Sequence, residues 1–387
     1  MIEPDGREAG ALGAPSPLRA GHMGRAFDAT AASYKYFWFL ALLRLLPHQA
    51  SLAVREVARE MIVIAWLPAA FYRLSFGFHD RLQEAVRDLQ REMRLRPNAS
   101  EARVRKALQA WPDAPLRVEA LSQLVPTRFL GPWVELDLHT SIRDDRRTRA
   151  IIKRAAATID QADGPPYAII KRADGQHLVF GPGWRTWLLD NQLVLKGYAE
   201  YELARFLQAR NPHVPGITEK VRGPTIRKLA SARRLFEMLR RETGRLIEPY
   251  SGGVLGPAFA IDHILPRAFL AHDLLWNLAP TTAAINLAKS EALPAPDLLV
   301  ALAGFHHEVV RHCDPASKEL DDYAAAFGLD GPAIKALGRG ALVELYVQLL
   351  SPLLQIATSQ GFRSGWIPPP YMAETADGAD VKKDEVR

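Results

Sequence analysis

The sequence predicts a mainly α-helical protein in which helical N-terminal and C-terminal regions surround a small ββα module, with one extra β-hairpin. Three observations support this prediction. Apolar residues recur at three-to-four spacing over long stretches, as in Phe27–Leu46. Two strand-like runs are joined across Asp174-Gly175, a dipeptide typical of tight hairpins. Residues 249–294, called here the ββα module, read as strand, turn, short strand and helix.

The composition favours a polyanionic partner such as nucleic acid. The chain has 387 residues, a formal net charge of +6 and a single cysteine, Cys313. Many ordinary enzymes are equally basic, so charge alone does not decide the partner. One cysteine excludes an intramolecular disulfide and a cysteine-based zinc ribbon. No apolar run reaches the ~18–20 residues that span a bilayer, and no secretory signal is evident. We therefore expect a cytoplasmic protein that does not bind a membrane.

Changes in composition along the chain predict six segments. A leader and a tail are poor in apolar periodicity and are expected to be disordered. The segments between them alternate helical, hairpin and ββα patterns. The predicted boundaries are a disordered leader at 1–24, a helical N-terminal domain at 25–160, a hairpin with basic helices at 161–245, a segment at 246–295 that contains the ββα module, a C-terminal helical region at 296–366 and a disordered tail at 367–387.

The N-terminal region predicts helices that differ in burial. Phe27–Leu46 is apolar on nearly all faces and aromatic-rich, which is typical of a core helix. Ser51 is predicted to cap the next helix, over residues 52–66. The segment 124–134 contains Pro126 and is predicted to be a loop or short strands.

A strongly basic helix is predicted directly before the ββα module. Residues 216–250 carry nine Lys/Arg against four Glu, and most of them fall in a predicted helix over 224–242. Such a helix either presents an ordinary solvated face or contacts a nucleic-acid backbone. The candidate nucleic-acid contacts are Lys228, Arg233, Arg234, Arg240 and Arg241.

A second cluster of polar residues, near the C-terminus, has a structural interpretation. His306, His307, His312 and Cys313 are residue types that bind metals. Their spacing does not place three of them on one helical face. We therefore interpret them as core and surface residues.

The polar residues of the ββα module match the needs of phosphodiester hydrolysis. That reaction requires a deprotonated nucleophile and neutralisation of charge on the phosphoryl group. Asp262 and Asn286 offer the oxygen ligands that a hard divalent cation prefers. His263 has an ordinary pKa near ~6.5, which suits a general base. Lys289 follows Asn286 by one helical turn and could hold a phosphate oxygen. Asn277 could fix a loop or orient the imidazole.

Each of these residues also has an ordinary interpretation. An Asp-His dipeptide is common and usually carries no function. Asn277 could serve as a turn former, and Lys289 could be a solvated helix residue. The order and spacing of the group favour the chemical interpretation.

The series Asp-His-Ile-Leu-Pro, Asn-Leu-Ala-Pro and Asn-x-x-Lys-Ser resembles the HNH (ββα-metal) endonuclease family. It is most similar to cysteine-free HNH modules such as that of CRISPR effector nucleases. The resemblance implies that Asp262 and Asn286 bind the metal and that His263 is the general base. It also implies that Asn277 stabilises the loop and that Lys289 is the helix lysine of this subgroup. Many members have His in place of Asn286, and the change favours Mg²⁺ or Mn²⁺ over softer metals.

We therefore expect a metal-dependent endonuclease that cuts DNA, nicking one strand as a monomer or both strands as a homodimer. The family type suggests a role in restriction or anti-phage defence, with a defence-system partner protein. Two alternatives stay open at this point. One is a nucleic-acid-binding or scaffold subunit with a vestigial HNH module, and the other is an RNA-cutting toxin-like nuclease.

Overall fold

The computed structural model describes residues 21–28, 32–49, 51–134, 144–223, 227–314 and 317–369. The structure is 60% helical, and its described part has 17 α-helices and a few small sheets. This confirms the predicted mainly α fold. The chain divides into two compact units, Met1–Pro224 and Thr225–Arg387. The division lies between the boundaries predicted at 160 and 245 and places residues 227–245 in the same unit as the ββα module.

The first unit is a helical assembly with one small sheet. Its elements are α1 (His22–Arg25), α2 (Tyr34–Leu45), β1 (Leu52–Ala53), α3 (Val54–Trp66) with a π-helical turn (Leu67–Phe71), α4 (Arg81–Glu92), α5 (Glu101–Ala110), α6 (Ala114–Phe129), α7 (Asp144–Thr158), β2 (Tyr167–Arg172), β3 (Gly175–Phe180), α8 (Trp184–Asp190), α9 (Gln192–Arg210) and α10 (Ile217–Arg222).

Helix α2 forms the centre of this unit, as its apolar pattern predicts. Eight consecutive residues from Tyr36 to Leu43 are buried. The indole Nε1 of Trp38 donates to the hydroxyl of Tyr167 on β2 at 2.9 Å. The Tyr167 hydroxyl in turn donates to the carbonyl of Pro126 at 2.8 Å. A buried polar chain therefore joins the core helix to the hairpin, where unpaired polar atoms would be costly.

The predicted hairpin is present and gains a third strand. β2 and β3 pair antiparallel around Asp174-Gly175, and Gly175 has a φ of +133°, which favours glycine. β1 adds to β3 on the other side. The predicted cap at Ser51 is wrong because the backbone of residues 52–53 pairs with β3, so α3 begins only at Val54 with Ala53 at the N-cap.

Two further predictions for this unit are wrong. Residues 114–129 form one helix, α6, that includes Pro126. Leu121, Val125 and Phe129 recur every four residues and are all buried, so packing outweighs the hydrogen bond that proline cannot donate. The predicted leader also ends too late, because His22–Arg25 is helical and Met23 is buried. Residues 1–20 and 370–387 lie outside the described residues.

The second unit carries the ββα module. Its elements are α11 (Ala230–Thr243), β4 (Leu246–Ile247), β5 (Val254–Leu255), β6 (Ala260–His263), α12 (Arg267–Leu270), a 3-10 turn (Leu275–Asn277), β7 (Leu278–Thr281), α13 (Ala283–Lys289), α14 (Leu298–His312), α15 (Lys318–Phe327), α16 (Gly331–Ala336) and α17 (Arg339–Ser359). β4 pairs with β5 and β6 pairs with β7, both antiparallel.

The C-terminal helices hold the turn that precedes β7. The carboxylate of Asp322 on α15 accepts the Leu275 N–H at 2.7 Å. The hydroxyl of Tyr346 on α17 donates to the Trp276 carbonyl at 2.7 Å. Beyond α13, Leu293 accepts a backbone hydrogen bond from Trp366 at 2.9 Å. The C-terminal region is thus bonded to the middle of the module and to its C-terminal end.

Helix α17 is long and apolar enough, by length and composition, to cross a membrane. Its buried residues Leu342, Tyr346, Leu350 and Leu354 recur every four positions, as expected for a helix that packs on a core. Core helices of soluble proteins pass the same test, so one such helix is weak evidence for a membrane span.

The buried His306 on α14 predicts a stability that depends on pH. Its Nδ1 is bonded to the Tyr323 hydroxyl at 2.7 Å, and burial lowers the pKa of His306 to about 3. In the unfolded chain the ordinary pKa is ~6.5, so the unfolded state binds more protons between pH 6.5 and 3. Stability is therefore complete above pH 6.5 and falls as the pH is lowered through this window. We expect a loss of roughly 2 kcal/mol between pH 7 and pH 5 from this residue.

Hydrogen exchange of the α14 backbone amides measures this effect in the unit that contains His306. The variant His306→Gln is expected to lose most of that pH dependence. His312→Gln changes a histidine on the same helix that is not fully buried and should keep it. Equal pH dependence in wild type and His306→Gln would contradict the assignment.

Candidate active site

The two strands of the β6–β7 hairpin place the central residues of the site. In its register, Asp262 pairs with Ala279 and His263 with Leu278. Neighbouring residues of a strand point to opposite faces, so Asp262 and His263 contact different surroundings. The Thr282 hydroxyl caps α13 by accepting the Ile285 N–H at 3.1 Å. The helix therefore begins directly after β7 and packs against β6.

Asp262 is a buried carboxylate with one oxygen engaged. Its Oδ2 accepts the Tyr250 hydroxyl at 2.6 Å and lies 2.8 Å from Lys289 Nζ. Burial, together with the Asp262 charge, raises the pKa of Tyr250 well above its usual range, so the phenol stays a donor. Oδ1 has no hydrogen-bond partner among the described residues. One oxygen of Asp262 is thus fixed by the protein and the other is left for a ligand.

Lys289 lies inside the module. Its side chain has 0% exposure, and Nζ donates to the His263 carbonyl at 2.7 Å as well as facing Asp262. We predicted from the sequence that Lys289 could hold a phosphate oxygen. Its ammonium is fully buried and is bonded to two protein acceptors, so it is not exposed to a substrate phosphate. Lys289 instead fixes the backbone and the carboxylate of the Asp262-His263 pair.

His263 is bonded to a carboxylate that follows it by ten residues. Its Nε2 lies 2.8 Å from Asp273 Oδ1. Asp273 also accepts Arg267 Nε at 3.0 Å and the Lys228 backbone N–H at 2.7 Å. Burial raises the pKa of the Asp273 carboxyl, but the hydrogen bonds from His263 and Lys228 outweigh it and hold that pKa well below its usual range. Nδ1 of His263 has no partner among the described residues.

Asn277 closes the loop that follows His263. Its Oδ1 accepts the Leu265 N–H at 2.8 Å, and its Nδ2 donates to the Leu265 carbonyl at 2.9 Å. Its own carbonyl accepts the Ile264 N–H at 2.8 Å. The side chain is completely buried, and its hydrogen bonds go to Leu265 and not to the imidazole. Of the two roles predicted for Asn277 from the sequence, the structure places it in the loop, and Asp273 rather than Asn277 touches His263.

Asn286 lies on α13, one turn before Lys289. Its side chain is half-buried and has no hydrogen bond to the described residues. Within the described part of the chain, no group of three or more His, Cys, Asp or Glu side chains could hold a metal. The donors that remain are Asp262 Oδ1 and the Asn286 amide oxygen. Such a set fits a hard cation that keeps several waters, as Mg²⁺ does, and does not fit Zn²⁺.

A comparison with known families identifies this segment. Residues 248–295 match the model of the HNH endonuclease family. The chain therefore contains an HNH domain. No curated protein and no solved structure gives a significant match to the chain. The match covers about an eighth of the 387 residues.

Helix α11 is attached to the HNH domain near its start. Lys228 precedes the helix and donates its backbone N–H to Asp273, while its side chain is exposed. Arg233 donates to the Phe259 carbonyl at 3.1 Å and lies over the Phe259 ring at 4.9 Å. Arg234 is exposed on the same helix. The structure thus brings the first half of the predicted basic helix to the strand that carries His263.

The other two predicted basic residues lie in the last part of α11. Arg240 and Arg241 follow Arg233 by seven and eight residues, about 10 Å along the helix axis. Arg241 Nε also donates to the Glu237 carbonyl at 3.3 Å. Among the five predicted nucleic-acid contacts, Lys228, Arg233 and Arg234 are exposed around the start of α11. Of these three, Arg233 is engaged with Phe259, whereas the side chains of Lys228 and Arg234 have no such contact.

Three residues that hold the predicted site together, Asp273, Tyr250 and Arg267, were not predicted from the sequence. Asp273 lies in a turn-rich stretch and nothing in its neighbourhood marks it as a partner of His263. Tyr250 belongs to the Pro-Tyr-Ser-Gly opening of the module, but its bond to Asp262 spans twelve residues. Arg267 has no sequence signal either. These contacts form only when the loop folds back on the strand.

The position of Lys289 predicts a large loss of stability when its charge is removed. The variant Lys289→Met keeps the side-chain length but leaves the Asp262 carboxylate without a cation and the His263 carbonyl without that donor. Breaking one partner of a buried pair costs roughly 3–5 kcal/mol. Hydrogen exchange of the β6 and β7 amides measures the change.

Asn286→Ala is the matched control on the same helix. Its side chain has no protein partner to lose, so we expect a change within about 0.5 kcal/mol. An Lys289→Met variant as stable as Asn286→Ala would contradict the structural role of Lys289.

Proposed function

We propose that this chain is a metal-dependent endonuclease that hydrolyses phosphodiester bonds in DNA. The observation that carries the proposal is the state of His263. One ring nitrogen is bonded to Asp273, and the other has no partner among the described residues. The backbone at His263 is held by Lys289 and the following loop by Asn277. An imidazole held in this way can accept a proton from water without reorienting.

The proposed reaction uses the protein groups in defined roles. His263 Nδ1 takes a proton from a water molecule, whose oxygen then forms a bond to phosphorus. The bond from phosphorus to the leaving sugar oxygen breaks, and that oxygen takes a proton from a second water molecule, while His263 returns its proton to solvent. Asp262 and Asn286 would hold a divalent cation, Mg²⁺ or Mn²⁺, which when bound neutralises charge on the phosphate. Tyr250 and Lys289 keep Asp262 in place.

Exposed cations beside the site support a nucleic-acid substrate. Arg227, Lys228 and Arg234 are exposed around the start of α11, and Lys228 is bonded through its backbone to Asp273. Lysine and arginine contacts to phosphates position a nucleic acid without reading its sequence. DNA is proposed here over RNA on the family type, because the described cations bind either polymer. A nick in one strand is proposed because a single site acts on one phosphodiester.

The biological setting is a proposal on family type alone. We propose a cytoplasmic nuclease that acts in restriction or anti-phage defence, with a partner protein that directs it to its target. A homodimer would place two sites on one duplex and would convert nicking into a double-strand break.

Cleavage of supercoiled plasmid tests the proposed activity. Wild-type protein is expected to relax the plasmid with Mg²⁺ or Mn²⁺ and to do nothing in EDTA. His263→Ala is expected to reduce the rate by about 10²–10⁴-fold because a general base contributes about that much. His312→Ala, a histidine on α14 outside the site, is the matched control and should keep the wild-type rate.

The products decide between the alternatives. Nicked circles support a monomer, and linear plasmid at limiting enzyme supports a dimer. Cleavage of RNA with intact DNA would favour the toxin-like alternative. Equal rates for wild type and His263→Ala would overturn the assignment of the base, and a lack of cleavage of every nucleic acid with either metal would favour the scaffold.

Salt dependence of binding tests the contribution of α11. In a His263→Ala background, the slope of log K against log salt concentration is expected to fall in magnitude by about 1 for Lys228→Ala and for Arg234→Ala, because each lost phosphate contact releases one counterion fewer. Fluorescence anisotropy with a labelled duplex gives the slope. Arg205→Ala removes an exposed arginine that is paired with Glu202 in the first unit and should leave it unchanged. Identical slopes in all variants would exclude α11 from the DNA contact.

A further inference from the structure

We propose that Asp273 is a positioning residue for His263, which it holds in the tautomer with the proton on Nε2, so that Nδ1 is the nitrogen that accepts the proton of water. This inference rests on the proposed function, in which His263 is the general base. It assigns a role to a residue that the sequence pattern of the HNH domain did not mark.

The geometry of the pair determines which nitrogen donates. His263 Nε2 and Asp273 Oδ1 are 2.8 Å apart, and both side chains are 8% exposed. An ionised carboxylate can only accept a hydrogen bond, so Nε2 must carry the proton. A neutral imidazole has one N–H, which leaves Nδ1 as an acceptor. The bond to Asp273 therefore decides the chemistry of the opposite side of the ring.

Besides His263, two donors fix Asp273. Arg267 Nε donates to the same oxygen, Oδ1, at 3.0 Å, and its side chain is 11% exposed. The Lys228 N–H donates to the other oxygen, Oδ2, at 2.7 Å. These donors favour the ionised carboxylate, in agreement with the lowered pKa of Asp273. The Asp273 carboxylate that accepts from His263 is thus kept ionised and held in one orientation.

The third contact joins the base to the basic segment. Lys228 opens the stretch that carries the exposed cations of α11, and its backbone is bonded to the carboxylate that holds the imidazole. Asp273 therefore contacts both Lys228, at the start of the segment proposed to bind phosphates, and His263, the residue proposed to activate water. It holds these two parts of the site at a fixed distance. This distance matters because a small displacement of the base from the phosphate lowers the reaction rate strongly.

The variant Asp273→Asn tests the tautomer directly. An asparagine keeps the shape and, with its oxygen accepting the Lys228 N–H, places its amide nitrogen where Oδ1 was. This amide donates to Nε2 and so favours the opposite tautomer, while the Arg267 side chain loses its acceptor and turns away. The ¹⁵N chemical shifts of the His263 ring, assigned by difference with His263→Gln in ¹⁵N-histidine-labelled full-length protein, report which nitrogen is protonated. We expect Nε2–H in the wild type and Nδ1–H in Asp273→Asn, both measured at one pH where the ring is neutral.

Kinetics separate positioning from a merely structural role. For nicking of plasmid with Mg²⁺, Asp273→Asn is expected to lower kcat by roughly 10²–10⁴-fold, because the wrong tautomer cannot act as base. KM should stay within about threefold, because the tautomer acts on the chemical step and not on DNA binding. Asp273→Glu restores the carboxylate and is expected to recover part of kcat. A wild-type kcat in Asp273→Asn, or an unchanged tautomer, would overturn the proposal.

The two readouts distinguish this inference from the proposed function. If the wild-type chain cleaves no nucleic acid, the proposed function fails, while the ring shifts still test the contact between Asp273 and His263. A wild-type ring protonated on Nδ1 would overturn the assignment of Asp273 whatever the activity. If Asp273→Asn unfolds the domain, Asp273→Glu supplies the same comparison of kcat, and a Glu variant that folds but does not exceed the activity of His263→Ala would count against the proposal.

Discussion

The buried carboxylate of Asp262 is the constraint on which the site depends. A charge with 4% exposure is costly unless it is paired and hydrogen-bonded. Lys289 and Tyr250 meet that requirement at a single oxygen. The same ammonium also holds the His263 carbonyl, so one lysine determines the position of α13, the strand β6 and the backbone of the proposed base. In the sequence Lys289 could be an ordinary solvated helix residue. In the structure it is fully buried at the centre of the module.

The two carboxylates of the site, Asp262 and Asp273, differ in how the protein binds their oxygens. Asp262 has one oxygen held by protein donors and the other without a partner among the described residues, which suits a ligand for a cation. Asp273 has both oxygens engaged by protein donors, which suits a fixed acceptor for an imidazole. Because their environments differ, the two groups serve different roles although they have the same chemistry.

The helical region of the second unit stabilises the module, which is too small to be stable alone. One two-residue strand, two four-residue strands and two helices of four and seven residues bury too little apolar surface to be stable alone. The C-terminal helices hold the turn before β7 through Asp322 and Tyr346. The Trp366 ring packs edge-on against Tyr250 at 5.4 Å and so helps to orient the phenol that binds Asp262. The precision of the site therefore depends on residues 47 to 116 positions beyond the ones they contact.

The sequence by itself determined the helical class, the hairpin at Asp174-Gly175 and the HNH domain with its polar residues, because periodicity, turn chemistry and motif spacing are local properties. Two predictions from the sequence were wrong. The segment around Pro126 is helical because the packing of α6 outweighs the effect of proline, and Ser51 is not a cap because β1 pairs with β3. Only the tertiary structure decided that Lys289 points inward and that Asp273 holds His263. These contacts join residues 10 to 27 positions apart, and their free energy arises from burial, which a linear pattern does not record.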